Sequence, residues 1–280
     1  MDIARPEIKQ KRRRRRIVLA GAAVIIAVAG FFLWRFELRH HRTYVTLMHD
    51  GRAIQTLVDV PTRAQSKASV VVLVHEVYGL SDWAGEMADD LADKGFIVVA
   101  PDLLSGHGPH GGGFSDFPSE GERVNAVQNL DPEDVSADLD AAIDYGKNLS
   151  GANGNVAVVG FSWGGWKSFE FATRRKDLSA VFVFYGTSPA DVTTITAPVF
   201  GFYGGKDQGV SGTVSATADA MKAAGKFYDP VTYEGADHGF MRLATEFGNT
   251  NPDNRTARDQ AFARLVMRLN EMGLRKGPPQ

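Results

Sequence analysis

The chain has no cysteine in 280 residues. That absence excludes disulfide scaffolds, thiolate metal sites, iron–sulfur ligation and any cysteine nucleophile. It leaves the compartment open, because a disulfide-free chain folds on either side of a membrane. The body of the chain also has fewer basic than acidic residues. Residues 43–280 hold twenty Lys and Arg against thirty Asp and Glu, which argues against a nucleic-acid partner, since neutralising phosphates requires a basic face. From residue 43 onward there is no internal repeat and no long low-complexity linker. What is present, 44% hydrophobic and 23% charged residues, suffices to bury a full core.

The missing basic charge is gathered at the N-terminus. Residues 1–42 carry eleven Lys and Arg against three acids, and the run Lys11–Arg16 is followed by eighteen uncharged residues, Ile17 to Trp34. As a helix this run extends about 27 Å, close to the hydrocarbon thickness of a bilayer. Phe31, Phe32 and Trp34 suit an interface, and Arg35 can snorkel from the end. The expectation is a basic cytoplasmic segment (1–16), a transmembrane anchor (17–36) and an extracytoplasmic domain (43–280), periplasmic in a Gram-negative cell. A cleaved signal peptide is the competing reading, with Ala27-Val28-Ala29 as its cleavage site and secretion as its consequence.

Beyond residue 43 the pattern alternates between strand and helix. Tyr44–Met48 and Ala53–Val60 read as two opening strands. Val70–Val74, Phe96–Ala100, Val156–Val159, Ala180–Phe184 and Val199–Tyr203 are apolar runs that suit strands covered on both faces, and Tyr228–Tyr233 closes the set. Between them lie helical patterns opened by Ser81, by Asp131-Pro132 and by Trp163, with further helices over 213–224 and 253–272. In the last, Ala257, Ala261, Phe262, Leu265, Val266 and Leu269 keep a 3.6-residue stripe. Residues 104–130, rich in Gly, Pro and His, show no period and read as a long loop or lid. Such alternation predicts one domain with a mostly parallel sheet and helices on both faces.

The chemistry gathers where strands end. Gly160-Phe161-Ser162-Trp163-Gly164-Gly165 lies between a buried strand and a helix, the setting of a nucleophile elbow. Ser162 is then exposed at a helix N-terminus, and the Trp163 amide points toward the same place and can stabilise an oxyanion. A serine needs a base, and the base an orienting acid. Downstream strands end in Gly204-Gly205-Lys206-Asp207 and in Gly235-Ala236-Asp237-His238, so the chain order Ser162, Asp207, His238 suits this fold. Asp237 is the rival acid, but a residue adjacent to His238 in sequence is poorly placed to reach its ring. Glu76 ends another buried strand, and a carboxylate there needs a partner.

His75-Glu76-Val77-Tyr78-Gly79, Pro101-Asp102-Leu103, Gly160–Gly165, Asp207 and His238-Gly239-Phe240-Met241-Arg242 together resemble the dienelactone hydrolase family of α/β-hydrolases. The resemblance runs from about residue 43 to 272. It implies that Ser162, Asp207 and His238 form the triad and that the amides of Val77 and Trp163 hold the oxyanion. Glu76 matches a glutamate that approaches the nucleophile, Arg242 an arginine that helps bind a substrate carboxylate, and Tyr78 lies in the same substrate-side motif. Two departures stand out. Well-studied members carry cysteine where this chain has Ser162, and a second arginine that follows Pro-Asp-Leu is replaced by Ser105-Gly106. Glutamate can help deprotonate a thiol but not a serine hydroxyl, so His238 must serve as general base.

The expected protein is therefore an α/β-hydrolase behind one N-terminal transmembrane helix, a serine hydrolase cleaving a carboxylic ester or lactone. No metal or organic cofactor is implied, and His107 and His110 read as parts of the lid. The alternatives are a catalytically silent anchored binding domain, distinguished by an unreactive serine, and a peptidase or amidase, distinguished by amide turnover.

Overall fold

The computed structural model describes residues 40–49, 51–62 and 67–274. One sheet is built from β1 (His40–His49), β2 (Arg52–Pro61), β3 (Ala68–Val74), β4 (Ile97–Pro101), β5 (Ala152–Phe161), β6 (Ala180–Phe184), β7 (Val199–Gly204) and β8 (Tyr228–Tyr233). The spatial order is β1-β2-β4-β3-β5-β6-β7-β8. The hairpin strands β1 and β2 pair antiparallel, as do β2 and β4; all other neighbours are parallel. The helices are α1 (Asp82–Asp93), α2 (Glu120–Gln128), α3 (Pro132–Asn148), α4 (Trp163–Phe171), α5 (Gln208–Ser211), α6 (Val214–Ala223), α7 (Phe240–Leu243) and α8 (Pro252–Leu274).

The central strands are apolar throughout because both their faces are covered. In β3, Val70, Val72 and Val74 pack in one layer with Leu139 and Ile143 of α3 and Phe169 of α4. Val71 and Leu73 pack in the other with Ala88 and Leu91 of α1 and Ala261 and Leu265 of α8. That division follows the two-residue period of a strand. Because β3 and β5 to β8 run in parallel, their C-terminal ends lie along one edge of the sheet, where an open α/β sheet places its ligands.

The stretch 104–130, expected as a long loop or lid, holds a 3-10 turn at Phe114–Asp116 and helix α2. Ser119 caps α2, its Oγ accepting from the Glu122 amide at 3.2 Å. Only Val127 of that helix is buried, so it carries no apolar stripe by which to read it. The Gly-rich part wraps two carboxylates. Asp102 accepts from the amides of Leu104 and Phe114, and Asp116 from those of His110 and Gly112.

The expectation of a membrane anchor is corrected. Among the described residues no helix is long and apolar enough to cross a membrane. The longest, α8, alternates its buried stripe with Asp253, Arg255, Arg258, Asp259, Arg264, Arg268 and Glu271, a pattern that suits packing on a sheet. Residues 17–36, on which the anchor was placed, lie outside the described residues. The membrane as a partner, the signal-anchor and the single-pass extracytoplasmic placement have no support in the fold and are set aside.

One buried acid makes the stability of this fold sensitive to pH. Asp59 in β2 is fully buried, 3.0 Å from His40 Nδ1. Burial pushes its carboxyl from 3.8 up to about 7, neighbouring Asp89 adding to the rise and His40 opposing it. The folded protein then keeps a proton that the unfolded chain has released. The stability this group contributes is full below about pH 4 and lost as pH rises through about 7. Asp59→Asn is expected to flatten the dependence of Tm on pH between 4 and 8 and to raise Tm at pH 8. A lower Tm at pH 8 would mean that the His40–Asp59 pair outweighs the burial.

Candidate active site

Ser162 follows β5 directly and caps α4 with φ 54° and ψ −115°. A positive φ in a residue with a side chain is strained by about 1–3 kcal/mol, so the surroundings must hold it. They do so through closeness. A Cβ on Gly160 would overlap the Gly164 carbonyl, and one on Gly164 would overlap the carbonyl oxygens of Val74 and His75. The elbow therefore packs backbone to backbone against the end of β3, which only glycine permits. Gly164→Ala is expected to lower stability by about 1–3 kcal/mol through this overpacking, read as a drop in Tm.

Three strand ends bring the expected side chains together. Ser162 Oγ lies 2.7 Å from His238 Nε2, and His238 Nδ1 lies 2.6 Å from Asp207 Oδ2. A single neutral tautomer, hydrogen on Nδ1, satisfies both bonds: the serine donates to Nε2 and the imidazole donates to the carboxylate. Asp207 follows β7 and also caps α5, its Oδ1 accepting from the Val210 amide. His238 lies between β8 and α7, and Gly239 after it takes φ 72° to open that helix. Asp237 is turned elsewhere: its carboxylate accepts from Asn251 and Asn254 at 2.7 and 2.9 Å.

Glu76 is buried just past β3, and its two oxygens are both engaged. Arg242 Nε donates to Oε2 at 2.8 Å, and the Tyr185 hydroxyl donates to Oε1 at 3.1 Å. Burial pushes the Glu76 carboxyl above its usual range, against the pull of Arg242 and Tyr185. Arg242 also lies over the Tyr78 ring at 4.5 Å and pairs with Glu246. Val77 is half-buried in the turn between Glu76 and Gly79, and Trp163 is buried at the first position of α4. A cleft of about 380 Å³ opens at Tyr78 and Arg242, lined further by Trp83, Phe114, Glu120 and Arg123.

Tyr185 was not foreseen. It directly follows β6 with φ 40°, fully buried, its ring edge-on to the His238 ring with the centroids 5.1 Å apart. Burial and the adjacent Glu76 push its hydroxyl well above its ordinary range, so it stays protonated and donating. The signal available in the sequence was its place: the residue between the end of an apolar strand and Gly186. Arg123 and Phe114, stacked with 4.7 Å between guanidinium and ring, were hidden in the stretch read as loop.

The family model described as "Dienelactone hydrolase family" matches residues 54–273. The chain belongs to the dienelactone hydrolase family. As a member of it, the protein is a hydrolase acting on esters or lactones. Carboxymethylenebutenolidase from Pseudomonas putida is 29% identical over 204 residues, covering 70% of this chain and 84% of that one. Among solved structures, a dienelactone hydrolase-like promiscuous phosphotriesterase from metagenomic libraries superposes with a TM-score of 0.69 at 24% identity, over 84% of this chain and 99% of that chain. The acylaminoacyl peptidase of Pyrococcus horikoshii shares the fold at a TM-score of 0.62 and 15% identity, over 82% of this dienelactone hydrolase family member but only 42% of the peptidase.

Proposed function

We propose that this hydrolase works as a serine esterase or lactonase through an acyl-enzyme on Ser162. The observation that carries the reading is the continuous chain from Ser162 Oγ through His238 to Asp207, with separations of 2.7 and 2.6 Å. Ser162 Oγ attacks the carbonyl carbon while its proton passes to His238 Nε2. The imidazolium, held by Asp207, returns that proton to the leaving alkoxide as the C–O bond breaks. Water, deprotonated by the same nitrogen, then attacks the acyl-enzyme, and Ser162 leaves with the proton. The amides of Val77 and Trp163 hold the negative oxygen of each tetrahedral intermediate; one such donor is typically worth about 3 kcal/mol.

In this reading Tyr78 and Arg242 wall the cleft that takes the remainder of the ester or lactone. Glu76, engaged by Arg242 and Tyr185, has no direct part in activating the hydroxyl, and His238 alone serves as base. The test is to expose the protein to a fluorophosphonate and read the intact mass beside Ser162→Ala. A single adduct, lost in the variant, is the expected result. No adduct on folded protein would overturn the mechanism and favour a catalytically silent binding domain.

A further inference from the structure

We propose that His75 is a positioning residue that aims the two oxyanion amides, a role that rests on the serine mechanism above. His75 is fully buried at the end of β3 and takes no part in the Ser162–His238–Asp207 chain. Its Nδ1 lies 2.8 Å from the carbonyl oxygen of Glu76, and that oxygen also accepts from the Gly79 amide at 3.1 Å. The Glu76 carbonyl and the Val77 N–H belong to one peptide unit. There are no cis bonds in the described chain, so in this unit the two groups point in opposite directions. Fixing the carbonyl with two donors thus fixes the direction of the Val77 amide.

The same ring also packs on the side chain of the residue that carries the second donor. His75 stacks on the Trp163 indole, the centroids 6.0 Å apart and the planes within 13°. The carbonyl oxygen of His75 lies where a Cβ on Gly164 would fall, so the strand end and the helix that carry the two amides meet at this residue. The neutral ring with hydrogen on Nδ1 is the form this contact requires. Nε2 has no hydrogen-bond partner among the described residues. Complete burial holds the imidazole below its ordinary value, so it stays uncharged while His238 cycles.

The test uses the full chain, hydrolysis of p-nitrophenyl acetate, and affinity for an aryl trifluoromethyl ketone, whose Ser162 adduct carries an oxyanion. His75→Phe keeps a flat ring against Trp163 and removes the Nδ1 donor. His75→Asn keeps a short donor in the Nδ1 position, and His75→Gln moves it one bond further out. The phenylalanine and glutamine variants are expected to lose about 10- to 100-fold in kcat and in ketone affinity, with KM changed less than about threefold. The asparagine variant is expected to recover kcat to within about fivefold of the native enzyme, with the shape of the pH profile unchanged in all three.

Native kcat in folded His75→Phe or His75→Gln would overturn the proposal. Equal losses in His75→Asn and His75→Gln would overturn it too, by showing that the ring's bulk matters and its donor does not. Tm is measured for each; if His75→Phe does not fold, the asparagine–glutamine pair decides. A native protein without Ser162-dependent turnover would overturn the serine mechanism first and this role with it, an outcome distinct from normal native turnover with indifferent variants.

Discussion

Ser162→Ala is expected to lower ester turnover by about 10⁴- to 10⁶-fold while leaving Tm within a few degrees of the native protein. The loss is large because the variant lacks the hydroxyl that is hydrogen-bonded to His238 Nε2 and that can form a bond to carbon. Without it the imidazole has no hydroxyl to deprotonate. Stability changes little, because the Oγ bonds to a half-exposed histidine. The strain at φ 54° remains with alanine, since both residues carry a Cβ. His238→Ala is expected to cost about as much, and the double variant scarcely more, because members of a relay act as a unit. Retention of more than about a hundredth of native turnover in Ser162→Ala would point to a different nucleophile.

What could be read from the sequence is what one local pattern determines alone. Val70–Val74 could be placed in the centre of the sheet because five consecutive apolar residues need cover on both faces. The elbow was legible because two glycines at fixed offsets from a serine meet a backbone constraint there, now visible as overlaps at Gly160 and Gly164. Asp207 and His238 were legible through chain order and strand ends. The rest depends on contacts between distant segments. Tyr185 is 109 residues from Glu76, and nothing near either announces the bond between them. Helix α2 escaped because it buries one residue and its polar composition reads as loop. The anchor was inferred from length and apolarity at 17–36, outside the described residues, and the membrane placement built on it has no counterpart in the described fold.

The largest effect on stability is expected at Arg242. Glu76 is 4% exposed, and among the described residues its carboxylate is hydrogen-bonded by this guanidinium and the Tyr185 hydroxyl. Removing one member of a buried pair leaves the other uncompensated, and Arg242→Met is expected to cost about 3 kcal/mol at pH 7.5 in denaturant unfolding. Arg242 is itself about one-fifth exposed and shares its charge with Glu246, which holds the figure at the lower end. Glu76→Gln alone is expected to cost about 1 kcal/mol, since the amide oxygen still accepts from Tyr185. If the cost of Arg242→Met is the stranded charge, adding Glu76→Gln to it must restore stability, giving a coupling of about 2 kcal/mol in the double-variant cycle. The pH dependence checks the same cause. With Arg242 gone, burial acts on Glu76 against only the smaller pull of Tyr185 and His238, its folded value rises further above the unfolded one, and the stability it contributes falls as pH rises through that value. The deficit of Arg242→Met must therefore shrink between pH 7.5 and pH 5.5, while that of the double variant stays constant. A deficit that ignores both pH and the glutamine would mean that Arg242 acts by packing on Tyr78, where its guanidinium lies 4.5 Å from the ring centre.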